Sequence, residues 1–180
     1  MDARPSRPAD GADKTPTRDI VVVVDLANVM GSRPDGWWRD RKAAATRLLT
    51  ALGQVVGVET AGPDGSGLRI ARIVAVLEGA SRGAVAPGAV RVTNTSVSVT
   101  SEIGAASDPT DSPAIEVVEA EHDGDAAIVA VTERLFNAHR LSPVISPGVL
   151  VVTADRGLRR RLPHDTVIVG PDWANRLIDR

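Results

Sequence analysis

Acidic side chains stand at or just beyond the ends of four apolar runs in this 180-residue sequence. If these runs are parallel β-strands, their carboxyl ends meet at one edge of a sheet, where α/β proteins bind ligands. Gathered carboxylates raise each other's pKa, and a hard cation such as Mg²⁺ or Mn²⁺ relieves that conflict. Such an ion assists hydrolysis of phosphodiesters by activating water and stabilising phosphoryl charge. The acids are Asp25, Glu78, Asp123, Asp125 and Asp155.

The stretch from Val21 to Asn28 is the centre of this hypothesis. Four consecutive valines are too few and too β-branched for a helix, and they predict a strand buried on both faces. Asp25 ends that strand, and Asn28 adds an amide three residues later. We therefore expect both residues in the site, with Asp25 as a metal ligand.

Each candidate also has a plain structural role. Asn28 suits an Asx turn or a helix N-cap, and Asp123 and Asp125 both suit N-caps of a following helix. Asp155 suits the first turn of a helix, where the dipole favours a negative charge. Thr153 either caps that helix or orients Asp155, and the sequence leaves both open.

Alternating strands and helices surround these residues. Residues 1–18 have the composition of a disordered tail, and residues 19–180 predict a single domain. Residues 79–113 are rich in Gly, Ser, Thr, Ala and Pro, and they fit an edge hairpin or a mobile loop equally well. The alternation predicts a three-layer α/β fold with about five mostly parallel strands. The predicted strands are 20–24, 69–77, 115–118, 149–153 and 166–169, and the helices are 37–54, 126–139 and one beginning at Pro171.

Composition excludes several classes of protein. The chain has no cysteine, which removes disulfides, thiolate nucleophiles and Cys-ligated zinc, and its three histidines are scattered. The net charge of −2 gives no global attraction to nucleic acid. Neither a membrane span nor a signal core is evident, so a cytoplasmic protein is the expectation. The sequence leaves a homo-oligomer open.

Local basic and aromatic residues are the candidates for holding a nucleic-acid backbone or base. The usual role of such a charge run is a solvated helix face. Tryptophan can stack on a base, although we expect at least one of Trp37 and Trp38 to pack against the sheet. The candidates are Arg33, Trp37, Arg39, Arg41, Lys42, Arg156, Arg159 and Arg160.

Three segments carry a resemblance to a known family. They are D-L-A-N-V-M-G-S-R-P-D-G-W-W-R-D-R from Asp25 to Arg41, G-D-A-A-I from Gly124 to Ile128, and T-A-D-R-G-L from Thr153 to Leu158. Together they resemble the PIN-like nucleases, and within these the NYN-type domains of small actinobacterial proteins.

The resemblance implies a PIN-like fold in strand order 3-2-1-4-5, dependence on Mg²⁺ or Mn²⁺, and cleavage of RNA. By motif, Asp25, Asn28, Asp125 and Asp155 would form the catalytic site, with Thr153 in support. The family pattern usually reads Gly-Asp-Asp, whereas this chain has Ala126 after Asp125. Either Asp123 supplies that charge or metal binding is weakened.

Three functions compete at this point. The first is a metal-dependent endoribonuclease, and the second is a catalytically weakened RNA-binding module, which Ala126 favours. The third is a nucleotide phosphohydrolase. An aspartyl-phosphate enzyme needs a second acid two residues after Asp25, where this chain has Ala27, so the third fits poorly.

Overall fold

The computed structural model describes residues 17–93, 96–100, 115–141 and 148–179. The tail expected over residues 1–18 falls outside this part of the chain except for its last two residues. The strands are β1 Arg18–Asp25, β2 Glu59–Ala61, β3 Gly67–Leu77, β4 Gly88–Thr93, β5 Ser96–Thr100, β6 Ile115–Glu119, β7 Gly148–Val152 and β8 Val167–Val169. The α-helices are α1 Leu26–Gly31, α2 Arg41–Gln54, α3 Gly124–Leu141, α4 Arg156–Arg161 and α5 Pro171–Ile178.

The valine run forms the middle strand of the parallel part of the sheet. Strand β1 pairs in parallel with β3 on one side and with β7 on the other. Val22 and Val24 pack into the core on one face, while Val21 and Val23 pack into the core on the opposite face. Because side chains alternate along a strand, only an uninterrupted apolar run can fill both cores.

The sheet has eight strands and is mixed, which corrects the prediction of a mostly parallel sheet of about five. Its order is β5-β4-β6-β3-β1-β7-β8, with β2 paired to β3 outside this path. The order therefore differs from the predicted 3-2-1-4-5. The five predicted strands keep those relative positions as β6-β3-β1-β7-β8, and β2, β4 and β5 are added in antiparallel pairings. The residues between β4 and β5 lie outside the described part.

Helices cover both faces of the sheet and complete three layers. The predicted α2 stripe of Ala45, Leu48, Leu49 and Leu52 is buried on one face, together with residues of α1 and α5. On the other face, Ile128 of α3 and Leu158 of α4 are buried. Among the described residues, no helix combines the length and apolar character needed to cross a bilayer.

The polar segment after β1 is more ordered than a loop. The Gly and Pro residues between 29 and 36 are typical of a loop, but the first three of these positions belong to α1, whose first turn the Asp25 side chain caps. Residues 37–39 form a 3₁₀ turn, and α2 begins at Arg41 rather than at Trp37 because Asp40 caps it. Each of the two helices therefore begins where an aspartate caps it, Asp25 for α1 and Asp40 for α2.

Candidate functional site

Asp25 lies at the carboxyl end of β1 and is only 8% exposed. Its Oδ1 accepts a hydrogen bond from the Asn28 backbone N–H at 3.0 Å, which is the N-cap of α1. Its Oδ2 accepts a buried hydrogen bond from the Thr153 hydroxyl at 2.9 Å. Both oxygens are therefore held, and the carboxylate is fixed at the sheet edge.

Burial raises the pKa of the Asp25 carboxyl above its ordinary value, because it removes water from the charged form. The hydrogen bonds from Asn28 and Thr153 lower the pKa, and the negative charges of Glu78 and Asp125 raise it again. The charges of two acids that follow other strands of the sheet therefore act on Asp25.

Thr153 connects the two central strands of the site. Its buried hydroxyl donates to Asp25 and accepts the backbone N–H of Asp155 at 3.0 Å. Next to it, Asn28 Oδ1 accepts the backbone N–H of Ala154 at 2.9 Å. The side chains of Thr153 and Asn28 therefore connect the loop after β7 to the end of β1 by hydrogen bonds.

Asp155 caps α4. Its Oδ1 accepts the backbone N–H groups of Gly157 and Leu158 at 2.6 and 2.9 Å. The sequence suggested a first-turn acid here, but Asp155 is the N-cap itself, one position before α4 begins. These two bonds leave Oδ2 outside the cap, so capping does not occupy the whole carboxylate.

Asp123 and Asp125 divide the roles at the start of α3. Asp123 accepts the backbone N–H of Ala126 at 3.0 Å and so caps the helix. Asp125 stands in the first helical turn, where desolvation and the negative charge of Asp155 raise its pKa, Arg161 opposes this, and Asp123 adds to it. Since Asp123 supplies the cap, helix initiation does not require Asp125.

Glu78 lies against the beginning of α3. A Cβ built on Gly124 would stand 2.7 Å from Glu78 Cδ and would overlap its Oε2. The missing side chain at residue 124 therefore gives the Glu78 carboxylate its place beside α3. The glycine of the G-D-A-A-I segment has a steric reason to be there.

The donor set suits a hard divalent cation in kind, since all five acids offer carboxylate oxygens. In the part of the chain that the structure describes, however, no three acidic or histidine side chains are grouped closely enough to enclose a metal ion. Magnesium usually retains several waters and binds to one or two carboxylates. An ion bound at this edge would therefore have to keep several of its waters.

The basic candidates on α4 lie beside the acids. Arg156, Arg159 and Arg160 are exposed, and the Arg159 guanidinium donates to the Thr153 carbonyl at 2.9 and 3.3 Å. Arg161, the last residue of the same basic run and another possible nucleic-acid contact, pairs instead with Asp125 at 3.5 Å and with Asp123 at 3.7 Å. It lies three residues after the buried Leu158, on the side of α4 that faces α3.

The candidates near α2 are less uniform. Arg39, Arg41 and Lys42 are exposed at the beginning of α2, and Lys42 Nζ comes within 3.5 Å of a Cβ built on Gly83, in the loop after β3. Arg33 instead donates to the side chains of Asn175 in α5 and of Asp179, the residue that follows this helix.

The two neighbouring tryptophans have different environments. Trp37 is half-buried against the core, with the Arg41 guanidinium 5.3 Å from its ring centre, whereas Trp38 is 58% exposed. Trp38 is therefore the better placed of the two for stacking.

Arg82 is a further basic residue near α3, where it donates to the Glu121 carbonyl at 2.9 Å. It stands in the 79–113 region, whose structure the sequence left open.

Comparison with solved structures finds a distant likeness to the crystal structure of Rae1 (YacP) from Bacillus subtilis, in a tryptophan-to-leucine variant. The chains are 11% identical, the match covers 89% of this chain and 75% of that one, and the TM-score is 0.47. A likeness this distant indicates no activity. Neither the protein-family models nor the curated proteins contain a match to this chain.

The fold and the position of the acids together describe the structural class of this protein. The chain is a three-layer α/β protein with a mixed sheet, and four of its strand ends bring carboxylates toward one edge. Exposed arginines of α4 flank that edge.

Proposed function

We propose that the protein is a metal-dependent endoribonuclease whose site is the acidic carboxyl edge of the sheet. The observation that supports this most strongly is the buried carboxylate of Asp25, braced by Thr153 together with Asp155 and surrounded by the charges of Glu78 and Asp125. Burying and crowding carboxylates costs stability unless a cation or hydrogen bonds compensate for it, so such an arrangement indicates a functional site. The choice of RNA as substrate rests on the resemblance of the three sequence motifs to PIN-like nucleases.

In this proposal Mg²⁺ or Mn²⁺ keeps several of its waters, and Asp25, Asp125 and Asp155 would bind it either directly or through those waters, with Glu78 and Asp123 as additional acids. When bound, such an ion supplies Lewis-acid activation of water and stabilises charge on the phosphoryl group. The Thr153 hydroxyl fixes the position of the Asp25 carboxylate relative to the Asp155 backbone, and the Asn28 side chain fixes the adjacent loop at Ala154. Exposed arginines such as Arg156 and Arg160 bind backbone phosphates without reading sequence.

The test compares the same substitution at the two ends of β1. Asp25→Asn should abolish Mn²⁺-stimulated cleavage of a single-stranded RNA, whereas Asp19→Asn should retain it. Asp19 is at the amino end of the strand, where it pairs with Arg69 in an exposed ion pair of little energetic weight. Cleavage by the wild type should stop in EDTA. Undiminished cleavage by Asp25→Asn would refute the site.

A second candidate function is an RNA-binding module without catalysis. It is favoured by the arginine already paired with Asp123 and Asp125, and by Ala126 at the position where the family pattern has an acid. RNA retention in EDTA with no cleavage in Mn²⁺ would support this function over the nuclease.

A further inference from the structure

Arg161 reaches the acidic edge from the last turn of α4. Three residues earlier, Leu158 is fully buried beneath the same side of the helix, so the Arg161 side chain is directed toward α3. There Nη1 lies 3.5 Å from Asp125 Oδ2, and Nη2 lies 3.7 Å from Asp123 Oδ2. Among the ion pairs of the described residues, no other basic side chain contacts these two acids.

The geometry of this contact does not suggest a role in holding the fold together. Both distances are long for charge-assisted hydrogen bonds, and the side chains of Arg161 and Asp125 are 45% and 36% exposed. Exposed ion pairs of this kind contribute little to stability. The contact is therefore one that a stronger cation can replace without unfolding the protein.

A divalent ion and the Arg161 guanidinium are attracted to the same carboxylate. Arg161 contacts Asp125 Oδ2, and Asp125 is one of the ligands in the proposed metal site. An ion bound at either oxygen of Asp125 would stand close to the guanidinium, and the two positive charges repel each other. Arg161 therefore opposes binding of the ion to Asp125.

We propose that Arg161 is an internal counter-ion that competes with the divalent cation for Asp125 and so sets the concentration of ion at which the site fills. This inference rests on the proposed function. In the absence of metal, Arg161 offsets one of the two negative charges at the beginning of α3. The energy of an exposed ion pair is small, so Arg161 should weaken the affinity of the site for the divalent cation by about two- to fivefold.

The test is a calorimetric titration of the full chain with MnCl₂ in the absence of RNA. Arg161→Gln should bind Mn²⁺ about two- to fivefold more tightly than the wild type. Arg161→Lys keeps a cation at this position and should fall between the two. Arg176→Gln is the matched control, because it removes the same charge from an exposed position of α5 and should leave the affinity unchanged.

The outcomes separate this inference from the proposed function. If Asp25→Asn abolishes Mn²⁺ binding but Arg161→Gln leaves the affinity unchanged or weaker, only the counter-ion role is refuted. If neither the wild type nor Arg161→Gln binds Mn²⁺, the metal site and the counter-ion role are both refuted. Tighter binding by Arg161→Gln alone, with Arg176→Gln unchanged, is the result that supports competition.

Discussion

Replacing Thr153 by Val removes the hydroxyl that links Asp25 to the loop after β7, while keeping the shape of the side chain. The hydroxyl is buried, donates to a carboxylate at 2.9 Å and accepts a backbone N–H at 3.0 Å. A hydrogen bond to a charged group contributes about 1.5–3 kcal/mol, and an unsatisfied buried N–H adds to the loss. We expect Thr153→Val to lower the free energy of unfolding by about 3 kcal/mol.

For a domain of this size, that loss corresponds to a fall in Tm of about 6–12 °C. Thr132 provides the matched control, because it is equally buried but donates only to the Ile128 carbonyl within α3. Thr132→Val should cost about 1 kcal/mol, the contribution of a neutral hydrogen bond. Urea denaturation of both variants at neutral pH gives the comparison.

The pH dependence separates the charged hydrogen bond from simple packing. The Thr153 hydroxyl lowers the pKa of Asp25, so it stabilises the ionised form. The deficit of Thr153→Val should therefore be largest at neutral pH and shrink as the pH falls and Asp25 takes up a proton. Equal losses for Thr153→Val and Thr132→Val, both independent of pH, would refute this account of the site.

Three further predictions concern the acids and the arginines of the edge. Because burial raises the pKa of Asp25, the native state holds its proton more tightly than the unfolded chain, and stability falls as pH rises through the interval above 3.8. When the free energy of unfolding is measured from about pH 3 to about pH 7, Asp25→Asn should therefore become more stable relative to the wild type as the pH rises. A constant difference between the two proteins over this range would contradict the prediction. Gly124→Ala should displace the Glu78 side chain and weaken Mn²⁺ binding as much as Glu78→Gln does, while the free energy of unfolding changes by less than about 0.5 kcal/mol. Unchanged Mn²⁺ binding in both variants would exclude Glu78 from the site. Arg156→Gln and Arg160→Gln should each reduce the slope of log affinity for single-stranded RNA against log salt by about 0.7, and an unaltered slope would remove these arginines from the RNA contact.

Local sequence patterns were sufficient for the central strands and the buried helix faces. The valine run of β1 could fill two cores only as a strand covered on both faces, and the α2 stripe could be buried only on one side of a helix. Strand ends followed by acids predicted a crowded carboxyl edge, and the charges of Glu78 and Asp125 do affect Asp25. The catalytic and metal-binding roles of these acids stay predictions.

The tertiary structure alone decided which partner each acid has. Thr153 and Asp25 are 128 residues apart, and Arg161 and Asp125 are 36 apart, so no local period relates them. Strands β4 and β5 form the edge hairpin that the sequence left open for residues 79–113, whereas the pairing of β4 with β6 joins segments that are distant in the chain. Strand β2 has three residues, which are too few for an apolar pattern. The sequence by itself determined that acidic residues follow the strands, because strand patterns are local. The partner of each carboxylate, whether a threonine hydroxyl, a helix N-terminus or Arg161, depends on contacts between distant segments and was decided only by the tertiary structure.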